Sequence, residues 1–193
     1  MNLSRSTLTR FAAGFAILTL ALAASEPGYE ILDLLTAATP SDSRDKQWKP
    51  GGDIVLEVSG IEWIGPDRLG VTLRKGDVYF IDGVLGTSAS NVRFHSFASG
   101  LHEPLGLLKE GDSYLVTQRS EVTRLRDSDG DGVADEYLTA ARGWNVSGNY
   151  HGYAYGPKRD GRGNLWVTTN LDMGDRAANS APWRGWALIM KPD

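Results

Sequence analysis

LGVTLRKGDVYFID, residues 69 to 82, lies without a gap over YLVTQRSEVTRLRD, residues 114 to 127. Val71 and Thr72 meet Val116 and Thr117, Arg74 meets Arg119, and Asp82 meets Asp127. NLWVTTN, residues 164 to 170, opens a third copy with Val167 and Thr168 in the same register. The three threonines are 45 and 51 residues apart, and each copy follows a turn: GPD before Arg68, KEGD before Ser113 and GRG before Asn164. Short β-branched strands at this interval, separated by Gly/Asp turns, predict an all-β chain built of β-propeller blades, each of about 40 to 50 residues and four strands.

The repeat sets the expected blades at about 53–98, 99–143 and 150–193. Blade one is read as Ile54 to Ile64, Arg68 to Leu73, Asp77 to Ile81 and Asn91 to Ala98. Blade two is read as Pro104 to Leu108, Ser113 to Gln118, Val122 to Arg126 and Ala134 to Ala140. Blade three begins with Tyr150 to Gly156, continues through Leu165 to Thr169 and reaches Trp186 to Met190 after an irregular insertion. Closed propellers need four to eight blades, so two to three blades are a partial ring. Open sheet edges and bare blade faces call for covering, which predicts an N-terminal fragment that meets the remaining blades or self-associates.

Export is written at the N-terminus. Arg5 and Arg10 form a positive n-region, Phe11 to Ala23 an apolar h-region, and Ala21, Ala23 and Ala24 a small-residue cleavage zone. A signal peptide over 1–24 predicts a secreted or periplasmic protein, and the apolar run is too short to leave a span in the mature chain. Residues 25–52 read as an extension in which Tyr29 to Leu35 is a candidate closing strand. The chain has no cysteine, which excludes disulfides, thiolate chemistry, a lipoprotein anchor and c-type haem attachment. Losing two arginines with the signal takes the net charge from -4 to -6, against nucleic acid or an anionic membrane as partner.

DSDGDGVADEY, residues 127 to 137, places carboxylates at alternate positions before a glycine, the pattern of a calcium loop. Asp127, Asp129 and Asp131 would supply positions 1, 3 and 5, the Val133 carbonyl position 7 and Asp135 position 9, with Gly132 at the turn. Leu138 stands where an EF-hand has its bidentate Glu, so a shorter loop tying off a blade hairpin is expected. The competing reading is an Asp/Gly-rich turn without metal.

Tyr150-His151-Gly152-Tyr153 sets a histidine at the mouth of an expected innermost strand, where a neutral imidazole could take a proton from a hydroxyl; it could equally hydrogen-bond a neighbouring blade. His95 reads as a surface or blade-packing residue, and His102 sits in a loop before Pro104. Trp144, Tyr150 and Tyr153 are candidate stacking surfaces for carbohydrate.

SGLHEPLGLL with YLVTQRSEVTRL, and NYHGYAYGPKRDGRGNLWVTTN, resemble segments of the soluble quinoprotein glucose/sorbosone dehydrogenases. They resemble still more closely the exported propeller proteins of Planctomycetes described as membrane-bound dehydrogenase domains; the likeness covers roughly Gly60 to Asp193. The resemblance implies a six-bladed ring using pyrroloquinoline quinone (PQQ) and calcium. It implies His151 as the catalytic base and Gln118-Arg119 as a polar pair at the cofactor pocket, with a sugar or small alcohol as substrate. The family's quinone-clamping cations lie in blades beyond those seen here, and its quinone-contacting calcium is not the ion expected at Asp127 to Asp135. The expectation is therefore a dehydrogenase-like propeller that is inactive alone, the alternative being a non-catalytic carbohydrate- or protein-binding module.

Overall fold

The computed structural model describes Gly28, residues 31–34, residues 56–172 and residues 181–191. The chain divides into two compact units, Met1–Ile31 and Leu32–Asp193. In the first, Gly28 sits in a turn at φ 106°. The expected signal peptide and most of the expected extension lie outside the described residues.

The second unit is all β, a partial propeller of three antiparallel sheets. The first sheet is β1 (Val58–Gly65), β2 (Arg68–Leu73), β3 (Asp77–Asp82) and β4 (Arg93–Ala98), paired in that order. The second repeats it with β5 (Leu107–Glu110), β6 (Ser113–Thr117), β7 (Glu121–Arg126) and β8 (Glu136–Arg142). The third pairs β9 (Ala154–Arg159), β10 (Leu165–Thr169) and β11 (Ala187–Met190), with β10 central. Among the described residues the only helix is a single 3-10 turn, Ala89–Asn91, and none is long and apolar enough to cross a membrane.

The threonine repeat is a packing repeat. Strands buried on both faces read as continuous apolar runs, and β6 shows why: Val116 packs toward blade one while the next residue inward, Leu115, packs toward blade three. Between blades one and two lie Ile64, Val78, Phe80, Phe97, Leu107, Val116 and Leu125, with Phe80 stacked on Phe97 at 4.2 Å. Between blades two and three lie Leu115, Val122, Trp144, Ala154, Leu165 and Val167. Thr72 and Thr117 are buried, whereas Thr168, on the face of β10 opposite Leu165 and Val167, is exposed.

The inner strands β1, β5 and β9 meet through glycine. A Cβ on Gly60 would stand 2.5 Å from the Gly106 Cα, and one on Gly106 would overlap the Gly156 carbonyl. The Gly156 N–H donates to Leu105 O across this contact at 3.2 Å, and Lys158 reaches Glu62 from β9 to β1 at 3.1 Å.

Three expectations need correction. Ile31–Leu34 adopt no strand; Leu34 instead packs on the outer face of blade one beside Val71 and Ile81. The innermost strands of blades two and three begin later than expected, at Leu107 and Ala154, because the preceding residues turn: Glu103 is at φ 47° and Gly106 at φ 140°, and the carbonyls of Asn149, Tyr150 and Gly152 bond to arginines while His151 O takes the Tyr153 N–H. The outer strand of blade two runs Glu136–Arg142, since the acidic loop occupies the chain up to Asp135.

Candidate functional site

Antiparallel strands alternate in direction, so connections of one kind gather at one end of the blades. The segments leading into β1, β5 and β9 share an end with the turns from β2 to β3, β6 to β7 and β10 to β11. His151, Gln118, Arg119 and Arg74 therefore lie at one end, and the Asp127–Asp135 loop at the other.

At the first end charges alternate across the blades. Glu57 pairs with Arg74 at 2.6 Å, Arg74 with Glu103 at 3.0 Å and Glu103 with Arg119 at 2.6 Å. Arg74 and Arg119 are the pair matched in the sequence repeat: each starts the turn after a second strand and reaches the loop before the next inner strand. Arg119 is buried; its Nη2 donates to Asn149 O at 2.5 Å, and its guanidinium lies 5.2 Å above the Tyr153 ring. Its own carbonyl accepts the Trp144 indole N–H at 2.8 Å.

His151 lies in the turn before β9, exposed, with its ring edge-on to Tyr150 at 5.3 Å. Its backbone N–H donates to Asn149 Oδ1 at 2.9 Å, which shapes the turn. Tyr150, Tyr153 and Tyr155 follow one another at ring spacings of 6.0 and 6.3 Å, with Tyr150 the most exposed. Partial burial, then the Tyr150 hydroxyl and the Glu103 carboxylate, push the Tyr153 phenol up. Trp144, expected as a stacking surface, is instead core: it is 1% exposed and packed with Leu115 and Val167. His102 stays in its loop, donating its backbone N–H to Gln118 Oε1. His95 stands edge-on to Phe80 at 5.5 Å, beside a cleft of about 240 Å³ at the opposite end that Arg68, Tyr114 and Asp127 also line.

In the acidic loop, ligand atoms of Asp127, Asp129 and Asp135 lie within 4.8 Å of one another. Asp127 accepts the N–H groups of Gly130 and Gly132 at 2.8 Å each, and Asp135 accepts from Ser128. Those bonds from Ser128, side chain first, hold the Asp135 carboxyl below its ordinary range. Asp131 Oδ1 takes the Val133 N–H at 3.0 Å, so it stands slightly apart from the converging three. Three carboxylates converging in this way could hold a metal ion. The loop is tied to blade one, Ala134 N–H donating to Phe97 O at 2.7 Å.

The pair that the resemblance assigns to the quinone is differently engaged. Gln118 takes the His102 N–H and donates to Thr123 Oγ1 at 2.6 Å, while Arg119 gives both terminal nitrogens to Glu103 and to backbone carbonyls. A polar pair facing a cofactor needs donors and acceptors that are not already bonded within the protein. As arranged, Gln118 and Arg119 do not fit PQQ.

Fold and site together define a partial propeller with an aromatic, histidine-bearing rim braced by buried arginines. Residues 89–184 are similar to a family described as a domain of unknown function, DUF7133. That span runs from the end of blade one through blade two to Arg184. No curated protein and no solved structure matches the chain.

Sequence reasoning passed over Glu103, Ser147, Asn149, Asp172 and Arg184. The one local signal was charge in apolar company, Glu103 beside Pro104 and Arg184 between Trp183 and Trp186. Apart from the bonds that Ser147 and Asn149 make within their own turn, the partners cited for them lie 12 to 39 residues away, beyond any local pattern.

Proposed function

We propose that this chain is the sugar-recognising part of an exported propeller of the quinoprotein dehydrogenase type, acting here as a binding module. The observation that supports the reading is the rim: Tyr150 offers an exposed ring with Tyr153 beside it and His151 is exposed, all on a turn whose backbone is held by buried side chains. Aromatic faces stack on the apolar faces of pyranose rings, and imidazole can accept or donate a hydrogen bond to a hydroxyl. The acidic loop at the other end is proposed to hold one calcium ion as a staple for the β7–β8 hairpin, away from the ligand.

The second reading, oxidation of a sugar or alcohol hydroxyl, is favoured by the exposure of His151 at the rim. A general base must reach the proton it removes, and an exposed imidazole is placed to do so. A hydride acceptor would have to be held by groups other than Gln118 and Arg119.

Calorimetric titration of the purified chain with methyl glucoside and soluble oligosaccharides tests the proposal. Saccharide binding should weaken about tenfold in Tyr150→Ala, the scale of one lost stacking contact, and fall in His151→Ala. Absence of heat with every saccharide, or equal affinity in both variants, would end the reading.

A further inference from the structure

The turn carrying His151 has no strand partner, yet Ser147, Asn149 and Gly152 within it are buried. Buried carbonyls need donors; beside backbone bonds to Asn149 O, His151 O and Tyr153 O, two arginines from distant parts of the chain supply them. Arg119 donates to Asn149 O and Tyr150 O. Arg184, from the insertion between β10 and β11, donates Nη1 to Gly152 O at 3.0 Å and Tyr153 O at 3.2 Å, and Nη2 to Asn145 O at 2.5 Å.

Behind Arg184 sits Asp172, with side-chain exposures of 3% and 1% and Nε 4.0 Å from Asp172 Oδ1. Asp172 Oδ1 accepts the Ser147 hydroxyl at 2.9 Å, and Ser147 Oγ accepts the Asn149 N–H at 3.3 Å. Gly152 closes over this pair so tightly that an added Cβ would stand 3.0 Å from Asp172 Oδ1. Burial pulls the Arg184 guanidinium below its ordinary range; Asp172 opposes the shift and Arg119 adds to it.

Backbone strain gathers at the same place. Among the described residues the non-glycine positions at positive φ are Glu103 (47°), Asn145 (53°) and Trp183 (67°). Glu103 is the carboxylate on Arg119, Asn145 supplies a carbonyl to Arg184, and Trp183 precedes Arg184. For a side chain as large as Trp this conformation is a true outlier, and such strain persists where surrounding structure over-determines it. Here the outlier turns Arg184 inward while Trp183 and Trp186 stay about half exposed on either side.

We infer that Arg184, backed by Asp172, is the positioning residue of the rim: it fixes the 145–153 turn so that Tyr150 and His151 are preorganised for a ligand. The inference rests on the rim reading for its purpose but on backbone geometry for its substance. Geometry of this kind needs a planar fork, which lysine lacks.

The test compares wild type with Arg184→Lys, Arg184→Met and Asp172→Asn by amide hydrogen exchange, and by NMR of the His151 ring assigned with His151→Ala. Exchange over 145–153 should rise about tenfold or more in both Arg184 variants, with lysine failing to rescue, while β2 and β6 stay protected. The His151 ring resonances should shift with it. Asp172→Asn, which keeps shape and loses charge, should show a smaller change of the same sign if Arg184→Met does not fold. Unchanged exchange and unchanged His151 ring resonances in a folded Arg184 variant, or full rescue by lysine, would overturn the assignment. Methyl glucoside binding is measured in parallel: if wild type does not bind it, the rim reading fails while the exchange data still decide the role of Arg184.

Discussion

At the scale of single residues, hydrogen bonds accepted by a carboxylate can set its charge state. Asp160 illustrates it: bonds from the Asn164 side chain, then Trp166 Nε1, then the backbone N–H groups of Arg162 and Asn164 bring its carboxyl to about 2 from an ordinary 3.8. A depressed carboxyl contributes stability that is complete above the unfolded value and is lost as pH falls through the folded one. Asp160→Asn should therefore melt below wild type at pH 6, and the gap should close between about pH 3.8 and 2. A gap that persists at pH 2 in thermal melts would show that the lost contacts, not the charge, set the difference. The same scale explains which site residues could be read in advance. His151 was legible because histidine is uncommon and sits beside a glycine and aromatics. Arg184 was not, because an arginine is identified as buried only by what surrounds it.

At the scale of elements, two features admit direct tests. Gly106→Ala should lower the urea midpoint by about 3 kcal/mol of stability or prevent folding, since a Cβ there overlaps the Gly156 carbonyl and φ is 140°. Gly111→Ala, at φ 59° with nothing within 4 Å, bears the conformational cost alone, about 1 kcal/mol. Equal effects would mean that β5 and β9 do not meet as closely as described. For the acidic loop, calcium at a hundredfold excess over Kd should stabilise by about 2.7 kcal/mol, seen as a higher Tm that EDTA and Asp129→Asn each remove. If neither changes the Tm, the loop is a metal-free turn. The loop was legible because its donors are contiguous; the innermost strands were misjudged by a few residues because the chain before β5 turns at Glu103 and Gly106, and because Arg119 and Arg184 hold carbonyls of the turn before β9.

At the scale of the whole molecule, the site is a product of three blades. Arg74 of blade one, Glu103 and Arg119 of blade two and the turn before β9 of blade three form one bonded series. Oxidation of a sugar needs preorganised groups around a clamped acceptor as well as a base. With Gln118 and Arg119 bonded to the protein itself, the purified chain given PQQ, calcium and glucose should show no dye-coupled turnover. Turnover that disappears in His151→Ala would overturn this and reinstate the pair as cofactor ligands. Packing at this scale also accounts for Trp144: a tryptophan ahead of Tyr150 reads as a stacking surface, but the gap between blades two and three is wide enough to take an indole and supplies its N–H with the Arg119 carbonyl.

The repeat of β-branched residues between Gly/Asp turns was sufficient, by sequence alone, to determine that this chain folds as propeller blades and where their second strands lie. Period and turn chemistry act within a dozen residues, and β2, β6 and β10 fall on the predicted segments to within a residue. Only the tertiary structure decided which charges are buried together. Ion pairs such as Arg119 with Glu103, and clasps such as Arg184 on Asn145, join residues far apart in the chain, and burial makes their unpaired alternatives costly. No local pattern encodes that cost, since it arises when the blades come together.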